Sequence, residues 1–370
     1  MKNTGTISTL HIIFLAMTVI GLKNHVTILP PLIEKVGRDG WASVLLAAGA
    51  VLPWLLLLVY VVKKMNGVPA KDWLQEKLGK AGSGFVRYII ALYLIILASF
   101  TIDETLQWVN ATFLPETPFV FMLLIYVILC VYFATTSLSV IVMANVLVLA
   151  VVVVLGFFVS FTNIKVKNYE LLQPFFEHGF HPIVQGAIYP GSGFVEITLL
   201  LLIQHRSKKT LGFKHFFIIL MILLFLTLGP FIGAITEFGP IEAAKQRYPA
   251  YEEWGLVSIG RFIEHVDFLS IYQWLTGTFI RVGFLLYIAI DLLGWEKKKQ
   301  QVWRVIAPAF FFICIPLLTL SDHKFLILKG EYLLKGSFAI FVLLSLFFTV
   351  LTFFSRKSTK KAKQNPTEDG

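Results

Sequence analysis

Apolar residues run along this chain in blocks of about twenty, the length a helix needs to cross a bilayer core, separated by short polar stretches. Ten such blocks are predicted, at 8–33, 41–62, 85–109, 119–137, 140–161, 182–204, 213–236, 268–293, 302–320 and 335–354. Only Thr135, Thr136 and Ser137 divide the fourth from the fifth. The intervening segments are short, so residues 1–354 are expected to form one polytopic, all-α membrane domain. Residues 355–370, polar and charged with Pro366, are expected to be a disordered basic tail. Two loops are longer. Val68 to Gly84 reads as an amphipathic surface helix, with Trp73, Leu74 and Leu78 against Lys71, Glu76, Lys77 and Lys80, ending at Gly79. Thr236 to Asp267 mixes Glu237, Glu242, Glu252, Glu253 and Asp267 with Lys245, Arg247 and Arg261.

Composition sharpens this. Of 370 residues, 57% are hydrophobic and 15% charged, whereas a soluble domain is roughly half apolar and about a quarter charged. Mean hydropathy is +0.77. Cys130 and Cys314 lie in apolar runs as small core hydrophobes, which excludes a disulfide scaffold. No small-residue cleavage site follows the first block, so no cleavable signal peptide is expected. With ten spans both termini share one side. Placing them in the cytoplasm, and counting span-edge residues with the adjoining segment, puts 20 Lys/Arg inside and 10 outside, with Lys23 and Arg281 within spans. The net charge of +10 then reflects orientation and anionic lipid. It is scattered over short loops and forms no contiguous basic face of the kind nucleic acid needs.

Two blocks are interrupted. In the first, Gly21-Leu22-Lys23-Asn24-His25 divides Ile12–Ile20 from Val26–Leu29; in the sixth, Tyr189 is followed by Pro190-Gly191-Ser192-Gly193, then by a run carrying Glu196. Either interruption alone is equally an ordinary Gly/Pro kink. Together they occupy corresponding positions in two five-helix halves, about 8–161 and 182–320 with the tenth helix completing the second. That pairing points to a midplane binding site in an inverted-repeat transporter fold. Half-helices starting near Val26 and Phe194 would offer N–H groups to a carboxylate, and those ending at Gly21 and Tyr189 would offer carbonyls to a cation. Lys23 stands where a sodium ion would otherwise neutralise those carbonyls.

Charges at membrane depth face a partner or a cavity. Glu196, Lys23 and Arg281 are the deepest, and they either line a site or pair with one another structurally. Asp103 and Glu104, late in the third block, are expected at the outer interface with Glu264 and Asp267. His25 is either a titrating group or simply hydrogen-bonded. No metal-spaced ligand set, phosphate loop or nucleophile triad is present, so neither an enzyme nor a cofactor is expected.

The chain resembles the B-subunit, permease-like component of bacterial spore germinant receptors. The likeness is carried by Pro69-Ala70-Lys71-Asp72-Trp73-Leu74 through Leu78-Gly79-Lys80, by Ala98-Ser99-Phe100 leading to Phe113-Leu114-Pro115-Glu116-Thr117-Pro118, and by Leu171 to Pro174 with Gly179. Glu196 and Phe262-Ile263-Glu264 with Asp267 and Trp274 complete it. That family belongs to the amino acid–polyamine–organocation superfamily, so the resemblance implies a LeuT-like fold of five plus five helices with the first and sixth broken. It further implies a nutrient-sensing subunit of the spore inner membrane. Such a subunit binds a small germinant, often an amino acid, and acts with A and C subunits. By position the ligand would meet the first break, Tyr93 and Phe100, the Pro190–Gly193 break, and Thr276, Thr278 and Arg281. Relatives carry small apolar residues at the first break and a small or hydroxyl residue at position 281; here Lys23 and Arg281 add two cations. The readings to separate are a sensor, a proton-coupled amino acid or amine permease, and a scaffold with a vestigial site.

Overall fold

The computed structural model describes residues 6–259 and 266–353, and these are helical apart from short connections and one bridge between Ile7 and Ser207. The helices are α1 (Thr9–Thr27), α2 (Leu29–Met65), α3 (Ala70–Thr112), α4 (Phe119–Ala134), α5 (Leu138–Val166), α6 (Phe180–Arg206), α7 (Phe213–Lys245), α8 (Phe268–Leu293), α9 (Lys299–Leu318) and α10 (His323–Leu351). Among the described residues nine are long and apolar enough to cross a membrane, against the ten expected. The exception is α4, whose 16 residues rise only about 24 Å.

Local chemistry sets the boundaries. Ser8 caps α1 by accepting the His11 N–H at 3.3 Å. Pro30 and Pro31 sit in the first turn of α2, where a missing N–H costs nothing. Gly37, at φ 66°, divides α2 into Leu29–Val36 and Gly40–Met65. The amphipathic helix does end at Gly79, which takes φ 75° and kinks α3. Trp73 is buried and stacks on Phe348. The loop expected from Thr236 to Asp267 is shorter than that: α7 continues to Lys245 across a kink at Gly239, and a short helix, Pro249–Gly255, follows. The expected tail, Arg261, Glu264 and the Phe262-Ile263-Glu264 motif lie outside the described residues.

Burial sorts the helices into a core and a rim. The most apolar stretches of α6 and α8 are 89% and 83% buried, those of α5, α9 and α10 only 28%. The rim turns Leu147, Val154, Phe157, Phe312 and Leu343 outward, apolar surface that lipid rather than water must cover. This is a multi-pass membrane protein.

Neither expected interruption is an unwound break. In α1 the α-helix runs to Leu22 and passes into a π-helical turn, Lys23–Thr27. The following piece begins at Leu29, not near Val26. In α6, Pro190 to Gly193 lie inside the α-helical turn Ile188–Phe194. Pro190 has no N–H to give Gly186, and Gly186 is where the preceding helix ends. The irregularity comes later, as the 3-10 turn Val195–Thr198. Changing the helical pitch keeps the backbone hydrogen-bonded, whereas unwinding would strand its polar groups.

Candidate functional site

The π turn of α1 and the 3-10 turn of α6 face each other. Lys23 sends its Nζ to Glu196 Oε1 at 2.8 Å and to the Ser192 carbonyl at 3.1 Å. From α8, Arg281 reaches the same carboxylate with Nη1 to Oε2 at 2.8 Å and Nη2 to Oε1 at 3.1 Å. The changed pitch supplies a further acceptor: the Lys23 N–H goes to Ile20 O, and Val19 O instead accepts from Arg281 Nη1. Arg281 Nε donates to Thr101 Oγ1 at 3.3 Å. Glu196 is 0% exposed, Arg281 3% and Lys23 5%, so two cations share one carboxylate away from water.

A second pair lies in the same pocket. Lys329 Nζ donates to Glu104 Oε1 at 2.8 Å, and Thr27 Oγ1 to Oε2 at 3.0 Å. Lys329 is 1% exposed and sits in a π turn of α10, Leu328–Leu334. Both lysines therefore enter the core from π turns. Asp103 and Glu104, expected at the outer interface, are both buried within the protein, Glu104 against Lys329 and beneath Tyr248, whose hydroxyl approaches the Glu104 carbonyl. Depth along a helix says nothing of what packs over it. Lys329 was missed because its segment reads as a loop; the clue was a lone lysine after Phe325–Leu328.

The two ion pairs bound one cavity, with Phe100, Trp274, Thr278 and Leu22 completing its walls. Its volume is about 30 Å3, room for one or two waters, so anything larger must displace side chains. At one end it is roofed by aromatic rings: Trp274 stacks on Tyr251 at 4.2 Å and meets Trp108 at a tilt at 4.5 Å, with Tyr248 edge-on at 4.6 Å. At the far end of α8, Lys71 and Arg206 clamp Asp291 and Glu296, with Lys71 3.0 Å from Glu296 and Arg206 3.4 Å from Asp291.

The other expected site residues pack around this cavity without lining it. Gly21 lies against Leu226, where a Cβ would come within 2.7 Å of the leucine side chain. Asn24 donates to Thr227 Oγ1 at 3.0 Å and rests on Gly193, where a Cβ would fall 1.9 Å from its Oδ1. His25 bonds the Leu226 carbonyl through Nδ1 at 3.2 Å. That carbonyl has no helical donor because residue 230, four on, is proline. Tyr93 donates to Ser337 and Tyr189 to Glu331, tying α3 and α6 to α10. Pro190 and Gly191 are buried, Gly191 beneath Phe338. Ser192 donates its hydroxyl to Tyr189 O, and Thr276 bonds back to Tyr272 O. Among the described residues no group of three or more His, Cys, Asp or Glu side chains is placed to hold a metal ion.

Comparison with known proteins agrees on one description. A family profile described as spore germination protein matches residues 6–323. The chain is similar to spore germination protein XB of Bacillus anthracis, 39% identical over 348 residues that cover 92% of this chain and 96% of that protein. It is similar to the putative spore germination protein YfkT of Bacillus subtilis, 25% identical over 295 residues, 79% of this chain and 80% of the relative. Spore germination protein A2 of the same species is 22% identical over 330 residues, covering 87% and 88%.

Proposed function

This chain belongs to the spore germination protein family, and from that premise we propose that it is the nutrient-sensing membrane subunit of a germinant receptor. In this reading it lies in the spore inner membrane with both termini cytoplasmic, and its helices follow a five-plus-five inverted repeat. A small germinant binds in the cavity between α1, α3, α8 and α10 and shifts a two-state equilibrium that A and C subunits read.

The observation that carries the proposal is the small cavity at which a buried ion cluster, Lys23–Glu196–Arg281, and a buried ion pair, Lys329–Glu104, meet from five helices. Its charges are held by one another, so a ligand that takes over any of those hydrogen bonds changes which helices are tied together. The ligand moves the equilibrium only by the difference of its affinities for the two arrangements. The aromatic roof and the Lys71–Arg206–Asp291–Glu296 clamp are the elements such a change would loosen.

The test is to purify the tagged chain from dormant-spore membranes in mild detergent and identify what comes with it. Two stoichiometric companions, one a large membrane protein and one a lipoprotein, are the expected result. A lone polypeptide recovered in several detergents, together with net amino acid or amine uptake into liposomes, would establish a permease instead.

A further inference from the structure

Counting donors and acceptors around the cavity yields an asymmetry. Lys23 uses two of its three N–H groups, on Ser192 O and Glu196. Arg281 uses four of five, on Thr101, Val19 O and both oxygens of Glu196. Lys329 uses one, on Glu104, and otherwise lies 5.7 Å over the Tyr248 ring. One N–H of Lys23, one of Arg281 and two of Lys329 thus have no acceptor among the described residues. Every carboxylate oxygen at the cavity is already engaged: both of Glu196 and both of Glu104 receive at least one hydrogen bond. The charges run the same way, with three cationic side chains against two carboxylates in a region shielded from water.

We infer that the cavity selects a small organic anion, a short-chain carboxylate without an ammonium group. This inference rests on the cavity being the ligand site, as proposed above. A carboxylate offers up to four lone-pair sites to the spare N–H groups and cancels the excess positive charge, which a low-dielectric interior otherwise leaves uncompensated. A short apolar tail would lie against Phe100, Leu97 and Leu333 once side chains move apart to admit it. An ammonium group has the opposite fate. It meets only carboxylate oxygens already engaged by Lys23, Arg281 or Lys329, must compete with those cations for them, and adds to the local positive charge. A zwitterionic amino acid gains at one end and loses at the other.

Propionate, L-alanine and ethylamine share a two-carbon frame that carries a carboxylate, both charged groups or an ammonium, so they separate the possibilities. The full chain in detergent is titrated with each at constant ionic strength, with chloride as the anion control. Thermal unfolding and the fluorescence of Trp274, a cavity wall, are read out. Propionate is expected to raise Tm and change the fluorescence at concentrations about tenfold below alanine, with ethylamine inert. In the E104Q/K329Q pair, which removes the Lys329 ammonium and its charge-assisted donors without stranding a buried charge, propionate affinity is expected to drop about tenfold. Tighter binding of alanine or ethylamine, abolished in R281Q, overturns the anion assignment while leaving the cavity as the ligand site. No response to any of the three overturns both. Propionate binding that is unchanged in E104Q/K329Q and R281Q overturns the cavity as its location.

Discussion

Glu196 is the residue on which the centre of the molecule turns, because among the described residues it is the one carboxylate paired with both Lys23 and Arg281. Removing one member of a buried ion cluster strands the others, at a cost of about 3–5 kcal/mol. Glu196→Gln is therefore expected to lower Tm sharply. Replacing all three residues by apolar ones of similar size, Lys23→Met with Glu196→Leu and Arg281→Met, is expected to restore most of that stability and abolish the germination response. Thermal unfolding beside a spore germination assay checks both. A second prediction concerns Gly193, which is glycine because Asn24 occupies the place of its Cβ. Gly193→Ala is expected to cost about 1–3 kcal/mol by overpacking. The same change in an Asn24→Ala background should cost much less, and a double-mutant cycle on Tm measures the difference. At this scale the sequence singles out Lys23, Glu196 and Arg281, and the structure buries all three against one another. It leaves Glu104 and Lys329 unpaired, because their contact spans 225 residues of chain and no local pattern reports it.

At the scale of elements, proline is the signal that reads both well and badly. Pro190 and Pro230 each deny a helical carbonyl its donor, but the consequences differ. In α6 the helix ends at Gly186 and restarts. In α7 it continues past Pro230, and His25 from α1 supplies the missing donor to Leu226 O. His25→Ala is thus expected to cost about 1–3 kcal/mol through an unsatisfied buried carbonyl. Pro230→Ala should recover part of that loss by returning the helical N–H, and Tm of the single and double variants decides it. The interruptions in the first and sixth blocks are legible as places where the helix is irregular. Whether such a stretch unwinds, widens into a π turn or tightens into a 3-10 turn depends on which neighbours satisfy the backbone, and those neighbours come from distant sequence.

Across the whole molecule, the short helix Pro249–Gly255 closes one end of the bundle, and its anchor is Glu253. The side chain is only 8% exposed and lies over Gly233 of α7, where a Cβ would meet its Oε1 at 2.5 Å. Asn163 at the end of α5 holds both Glu237 and the Glu253 carbonyl, and Lys167 lies 3.4 Å from Glu237. Burial, then the nearby Glu237 carboxylate, push the Glu253 carboxyl well above its ordinary range, and Lys167 only partly opposes them. A raised folded-state value means the folded protein holds this proton more tightly than the unfolded chain. The resulting stability is present below the ordinary carboxylate range and is lost as pH rises through the raised value. Tm measured from about pH 4 to about pH 8 should fall more steeply for the native chain than for Glu253→Gln, whose neutral amide should make it the more stable form at the upper end. Equal slopes would remove Glu253 as the anchor.

Block length, apolar content and the bias of basic residues determine by themselves that this is a polytopic helical membrane protein. These are local properties, because a bilayer-spanning helix satisfies its own backbone and needs only enough consecutive apolar residues. The order of short motifs carries the family. What only the tertiary structure decided is which of the ionisable groups meet. Lys23 finds Glu196 across 173 residues and Arg281 finds it across 85, while Glu104, read as interfacial, turns inward to Lys329. Charge pairing in a low-dielectric core is settled by which helices stand side by side and by the pitch of their turns. One extra residue in a turn of α1 or α10 re-aims a lysine, and the apolar pattern along the chain barely registers that change.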